Sequence, residues 1–121
     1  MNNKAEPWPT ELRLNKEKNA LHVTFDDGNA FELPAEYMRV YSPSAEVQGH
    51  GPDQRKTVAG KRGLTISDME PVGNYAVKVR FADGHDTGLF SWNYLHELGV
   101  EHDERWESYL LELDEKGLER D

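Results

Sequence analysis

The sequence of 121 residues predicts an α+β domain: duplicated βββα units forming antiparallel sheets covered by short helices, with one more helix at the C-terminal end. Three observations carry this. Ala20–Tyr37 (ALHVTFDDGNAFELPAEY) returns as Ala76–Tyr94 (AVKVRFADGHDTGLFSWNY). Ala20, Val23, Phe25, Asp27 and Gly28 meet Ala76, Val79, Phe81, Asp83 and Gly84 at one constant offset; after a one-residue insertion, Leu33, Tyr37 and Met38 meet Phe90, Tyr94 and Leu95. Within each copy apolar and polar residues alternate up to an Asp-Gly pair, the pattern of a half-buried strand entering a tight hairpin turn. Beyond the second copy, Trp106, Tyr109, Leu110 and Leu113 recur at i, i+3, i+4 and i+7, one face of a helix.

Taken in order, residues 1–9 show no periodicity and read as a flexible arm, on which Trp8 between Pro7 and Pro9 is the residue able to pack. Residues 10–121 read as one domain, with a polar loop inserted at about 41–63. Glu11–Leu14 is a first strand, turned through NKEKN. Leu21, Val23 and Phe25 then point inward while His22 and Thr24 point outward. Asp27-Gly28 supplies the positive φ of the turn, Ala30–Leu33 returns, and Pro34 suits the first turn of a short helix. In the second copy Leu64–Ile66 is the first strand and EPVGN the turn. Val77, Val79 and Phe81 alternate with Lys78 and Arg80, Asp83-Gly84 turns, and Thr87–Phe90 returns. Ser91 can cap the next helix and Gly99 can end it. The last helix is expected over Asp103–Lys116, with Asp103 as its cap and Gly117 as its stop. Inside the polar loop, SPSAEVQGHG buries almost nothing and sets His50 between Gly49 and Gly51. The segment His50–Gly63, with Val58 as its apolar anchor, is expected to be mobile.

Composition narrows the functional classes. A formal charge of −9 argues against nucleic acid and anionic membranes as partners, because phosphate is bound by basic patches. The charge is uneven: Glu101–Asp121 holds nine acids and three bases, whereas His50–Gly63 holds four bases (Arg55, Lys56, Lys61, Arg62) and one acid, so tail and loop either attract each other or are simply solvated. With no cysteine there is no disulfide, thiolate metal site or cysteine nucleophile. The first ten residues, MNNKAEPWPT, do not form a signal peptide, and no apolar run reaches ~20 residues. A cytoplasmic protein is expected.

The residues give little catalytic chemistry. None of His22, His50, His85, His96 and His102 pair at HxxxH spacing. The D-G-H-D tip, with His85 between Asp83 and Asp86, can orient an imidazole for metal or proton work, although a polar hairpin tip explains it as well. No nucleophile elbow, triad spacing, P-loop or dinucleotide fingerprint occurs. The chain is expected not to be an enzyme.

SPSAEVQGHGP, the F-x-D-G-H-D-T-G hairpin and LFSWNYLHELG together resemble the gamma-butyrobetaine hydroxylase-like N-terminal domain family, over roughly Thr10 to Trp106 and nearest to its stand-alone bacterial members of unknown function. The resemblance implies zinc-bearing relatives, the hydroxylases, in which three cysteines of a C-P-C-x-x-C stretch and one histidine hold the ion. Laid on this chain, those positions are Ser42, Ser44, Val47 and His85. Three ligands of four are missing, and hydroxyls bind zinc poorly. The hydroxylase's iron- and 2-oxoglutarate-binding domain is also missing. Related domains fused to iron–sulfur carrier ATPases imply an adaptor role near iron or cofactor metabolism. The resemblance further implies that Ser42–Val47 approaches the second hairpin, where the Ser42 and Ser44 hydroxyls and the His85 ring would satisfy one another in a metal-free seam.

Two functions follow. The first is a non-enzymatic adaptor that meets an unknown protein partner through its βββα surface and the polar loop, with Ser42, Ser44, Glu46, Gln48, Arg55 and Lys56 as the interacting residues and no cofactor. The second is a metal-binding module holding iron or zinc weakly through His85 and His50, with Asp83 or Asp86.

Overall fold

The structure, a computed structural model, describes residues 7–48 and 56–121. The described residues form six strands and four helices: β1 (Pro9–Leu14), β2 (Ala20–Phe25), β3 (Ala30–Pro34), α1 (Ala35–Val40), α2 (Ala45–Gln48), β4 (Ile66–Val72), β5 (Ala76–Phe81), β6 (Gly88–Ser91), α3 (Trp92–Val100) and α4 (His102–Lys116). Two three-stranded antiparallel sheets result, ordered β1-β2-β3 and β4-β5-β6, and each leads into a helix. The expected α+β class with duplicated βββα units and a C-terminal helix is the observed one.

The duplication reaches below the level of elements. In β1 Pro9 faces Phe25 and Glu11 faces Thr24, which leaves Thr10 as an extra residue; in β4 Ile66 faces Phe81 and Asp68 faces Arg80, which leaves Ser67 extra. Both hydroxyls donate to the carbonyl beside the bulge, Thr10 to Thr24 (3.2 Å) and Ser67 to Arg80 (3.1 Å). Such a bulge bends and twists its strand, so both sheets curve at the same register. The turns match too. Gly28 and Gly84 have φ of 91° and 94°, open to glycine and strained for other residues. Asp27 Oδ1 accepts the Asn29 amide at 2.9 Å, and Asp83 Oδ1 the His85 amide at 3.0 Å.

Leu21, Val23 and Phe25 of β2 and Val77, Val79 and Phe81 of β5 are all buried, with the same burial pattern along both strands. They join Leu33, Phe90, Tyr37, Met38, Leu95, Leu98, Tyr109 and Leu113 in one apolar cluster. Each large side chain buried this way contributes about 1.5–3 kcal/mol relative to exposure. Tyr37, wholly buried, donates its hydroxyl to the Leu98 carbonyl (2.7 Å), which satisfies the polar atom that its ring carries inward.

Several boundaries differ from the sequence reading, each for a physical reason. Of the expected arm, residues 1–6 lie outside the described residues, while Trp8 accepts the Asp26 amide (2.9 Å) and Pro9 opens β1. Strand β4 starts at Ile66 and runs through Pro71 and Val72, expected to be turn, because an edge strand tolerates a residue without N–H. Its turn is made by Gly73, at φ 55°. Gly99 does not end α3; it lies within the helix, where an added Cβ would sit 2.3 Å from Phe31 Cγ. Its role is close approach. Ser91 does cap α3, its hydroxyl accepting the Tyr94 amide at 3.1 Å. Helix α4 begins at His102, so Asp103 lies in its first turn, where the acid favours the helix dipole. Gly117 ends it at φ 65°, and Leu110 of the expected stripe is 39% exposed.

The expectation of a mobile His50–Gly63 segment falls partly on residues 50–55, which lie outside the described residues. The rest is anchored. The Tyr109 hydroxyl donates to the Val58 carbonyl (2.7 Å), and the Gly60 and Arg62 amides donate to the carbonyls of Glu119 (3.0 Å) and Arg120 (2.9 Å). Arg62 also pairs with Asp121, so loop and tail meet, the first of the two readings their charges allowed. The tail reaches further: Arg120 Nε and Nη2 lie 2.8 and 2.7 Å from the two oxygens of buried Glu36. No helix among the described residues is long and apolar enough to cross a membrane.

Candidate functional site

Where α1 ends, Ser42-Pro43-Ser44 turns the chain onto the second hairpin. Ser44 Oγ accepts the Glu46 amide (3.1 Å) and so helps start the four-residue helix α2 inside the loop. The three side chains Ser42, Glu46 and His85 then form a chain. Ser42 Oγ lies 2.9 Å from His85 Nε2, and His85 Nδ1 lies 3.1 Å from Glu46 Oε1. A carboxylate can only accept, so Nδ1–H donates to Glu46 and Nε2 accepts the Ser42 hydroxyl, which fixes the tautomer. Ser42 Oγ also accepts the Ser44 amide (3.3 Å), Ser44 Oγ lies 2.6 Å from Thr87 Oγ1, and Gln48 Nε2 donates to the Ser42 carbonyl (2.8 Å). Hydrogen bonds therefore close the polar seam between Ser42–Gln48 and the second hairpin.

Burial and the Arg39 charge push the His85 imidazole below its ordinary pKa of 6.5, against the opposing pull of Glu46. A neutral ring agrees with its hydrogen bonds. Asp83, one residue past the turn's entry, is spoken for: its Oδ2 lies 2.9 Å from Arg39 Nε and 2.7 Å from Lys61 Nζ. Burial alone would raise this carboxyl, but Lys61, the His85 amide and Arg39 together hold it down at about 2. Asp86 turns away toward Arg80 (3.9 Å) and is half-buried. His50 and Arg55 lie outside the described residues. Of the proposed metal ligands, then, the structure brings His85 and Asp83 onto one turn, but with His85 bonded through both nitrogens and Asp83 ion-paired to two cations. Among the described residues no group of three or more His, Asp or Glu is placed to hold a metal ion.

The residues expected to meet a partner divide. Ser42 and Ser44 are buried and face the hairpin instead of solvent; Gln48 is half-buried and bonded back to Ser42; Glu46 and Lys56 are exposed. The sequence reading saw no triad spacing, yet serine, histidine and glutamate stand in the order of a hydrolytic triad. Two facts deny this serine a substrate. Ser42 is 0% exposed, and a Cβ on Gly88 would lie 2.6 Å from Ser42 Oγ, so the hairpin backbone already occupies the approach. A nucleophile needs a reacting atom about 3 Å away.

A site the sequence reading missed lies at the other end of the second sheet. Trp8 and Trp92 meet edge to face, ring centroids 6.3 Å apart. A depression of about 560 Å³ is walled by Trp8, Trp92, Pro7, Tyr75 and Asn74, and a second of about 300 Å³ by the same two tryptophans with Pro9, Glu11, Leu12 and Pro71. Trp92 is held by its Nε1–H, which donates to the Asn74 carbonyl (2.9 Å). Trp8 and Tyr75 are 49% and 53% exposed. The usable signal was an aromatic residue in each of two polar segments, Trp8 in the arm and Tyr75 in a turn.

A family model described as "Gamma-butyrobetaine hydroxylase-like, N-terminal" matches residues 12–96. No curated protein matches the chain. Among solved structures, an NMR solution structure shares 43% identity over 97% of this chain and 92% of its own, with a TM-score of 0.83. A second NMR solution structure shares 43% identity over 99% and 89%, TM-score 0.82. A crystal structure of a DUF971 family protein of unknown function from Acidithiobacillus ferrooxidans shares 35% identity over 77% and 93%, TM-score 0.64. With its model matched from Leu12 to His96 and its duplicated fold shared with these structures, the chain belongs to the gamma-butyrobetaine hydroxylase-like N-terminal domain family.

Proposed function

We propose that this domain is a non-enzymatic adaptor that takes an uncharged, apolar segment of a partner protein along the groove of Trp8, Tyr75 and Trp92. One observation carries the reading. In a chain of formal charge −9 with 31% charged residues, the described residues lining the larger depression carry no charge, and two aromatic rings stand half-exposed there. Exposed aromatic clusters of this kind are where binding energy concentrates. The buried seam serves as scaffold, because its hydroxyls, imidazole and carboxylate are already engaged with one another. Iron or zinc held by His85 and His50 would have to displace Ser42 or Glu46 from a ring nitrogen, so the reading carries no metal. The partner's identity decides whether the domain serves iron or cofactor metabolism, the association the family resemblance implies.

The test compares untagged native protein with a Trp8→Ala/Tyr75→Ala double variant whose NMR spectrum shows the fold intact. Proteins captured by the native chain and lost by the variant are expected, and the binding segment of one such protein should move the Trp8 and Trp92 indole signals. Equal capture by both chains overturns the groove. Zinc and iron(II) titrations run alongside; joint shifts of the His50 and His85 rings at micromolar metal overturn the metal-free reading.

A further inference from the structure

We infer that the partner segment is proline-rich and is bound as a polyproline II helix across Trp8. This rests on the groove reading above and goes further by naming the conformation recognised. Three features of the groove select it. Strand addition, the usual alternative for an extended segment, is blunted here: the two edge strands bordering the smaller depression, β1 and β4, carry Pro9 and Pro71, which have no N–H to offer an incoming strand. A polyproline II segment needs no such ladder, since its backbone makes no internal hydrogen bonds and leaves every carbonyl free to accept. The groove supplies matching donors. Trp8 Nε1–H and the Tyr75 hydroxyl have no hydrogen-bond partner among the described residues, and both residues are about half exposed.

The shape agrees. Prolines three residues apart lie on one face of a polyproline II helix, about 9 Å from each other. Two depressions that share the Trp8 and Trp92 rings as walls offer such a pair of prolyl rings one seat each, with aromatic faces for the flat rings. A prolyl segment is already ordered before it binds, so little conformational entropy is lost on docking to a shallow site whose one charged wall residue among those described is Glu11.

The experiment titrates three blocked, uncharged ten-residue peptides into ¹⁵N-labelled full chain: deca-proline, all-alanine and alternating alanine–leucine. Deca-proline is expected to give saturable shifts of the Trp8 and Trp92 indole N–H signals while the His85 ring stays still. Binding should weaken about tenfold in Trp8→Ala and about threefold in Tyr75→Phe, which removes only the hydroxyl. If alanine–leucine binds the groove as tightly as deca-proline, the polyproline inference is overturned while the groove reading stands. If none of the three moves Trp8, the inference is overturned, and the capture comparison alone then decides the groove. Shifts that persist unweakened in both variants place the peptide elsewhere and overturn the inference.

Discussion

The two hairpins share one strand pattern and turn geometry but do opposite work. At the first tip Asp27 caps its own turn, its second oxygen meets His96 (2.8 Å), and Asn29 simply returns to Asp27. At the second, the residue in Asn29's place is His85, buried and bonded to the loop, and Asp83 meets Arg39 and Lys61. The third difference lies one strand on. Phe31 and Gly88 occupy equivalent positions, opposite Val23 and Val79. Phe31 fills its own space and leans on Gly99, whereas Gly88 leaves a gap that Ser42 enters. A hairpin becomes a docking place for a loop through one ring gained, one ring lost, a rewired carboxylate and one residue inserted between His85 and Gly88.

The comparison is broken most severely at the carboxylates. Asp83→Ala leaves Arg39 and Lys61 without their partner, and Arg39 already has one buried nitrogen, Nη1, that no described residue bonds. A loss of about 3 kcal/mol is expected in urea unfolding, and a clearly smaller one in Asp27→Ala, whose carboxylate is open to solvent. Acid should show the same asymmetry. The unfolded chain protonates Asp83 near 3.8 and the folded chain near 2, so stability present above pH ~4 is lost as pH falls toward 2. Equal costs at Asp27 and Asp83 would erase the distinction.

Next comes Gly88→Ala, expected to cost about 2 kcal/mol by driving a methyl group into Ser42 Oγ. The Ser42–His85 bond should part, visible as a shift of the His85 ring, while the β4–β5 ladder keeps its amide protection. A smaller effect follows from making the hairpins alike. His85→Asn strands the Ser42 hydroxyl and should cost about 1–2 kcal/mol, while the reverse change, Asn29→His on the exposed tip, should stay within ~0.5 kcal/mol.

The smallest effect is a pH slope. His85 is faced by Ser42 and Glu46 from the loop, Arg39 from α1, and Asp83, itself paired with Lys61. Its folded pKa lies below the ordinary 6.5, so the unfolded chain takes up the proton first, and stability should fall as pH drops below about 6.5. His85→Asn should flatten that limb; an unchanged slope in the variant would assign it elsewhere.

What the sequence made legible was whatever repeats locally. Alternation in Leu21–Phe25 and Val77–Phe81, two Asp-Gly turns, the Ser91 cap and the Gly117 stop all follow from neighbours within a few residues. Gly99 shows the limit, since a glycine near a helix end reads as a cap unless one knows that Phe31, far away in sequence, presses on it. Glu36 and Arg120 likewise carry no local pattern that marks them as a pair. The seam was reached through the resemblance, which placed Ser42, Ser44 and His85 at the zinc site of the relatives; their spacing alone gave nothing. The groove stayed hidden because Trp8 sat between two prolines in what looked like an arm, and exposed aromatics in turns have no periodicity to betray them.

The contact between Arg120 and Trp106 has an optical consequence. The guanidinium lies over the indole at 5.1 Å from its centroid while it grips Glu36. Tail and ring are thus a donor–reporter pair, and Trp106 fluorescence should read the tail's attachment directly once the other two tryptophans are silenced by Trp8→Phe and Trp92→Phe. In that single-tryptophan chain, releasing the tail by Arg120→Ala would wet the indole and shift its emission to the red well before the sheets melt. The molecule therefore carries its own probe for whether a partner, a salt or a change of pH loosens the last four residues from the body.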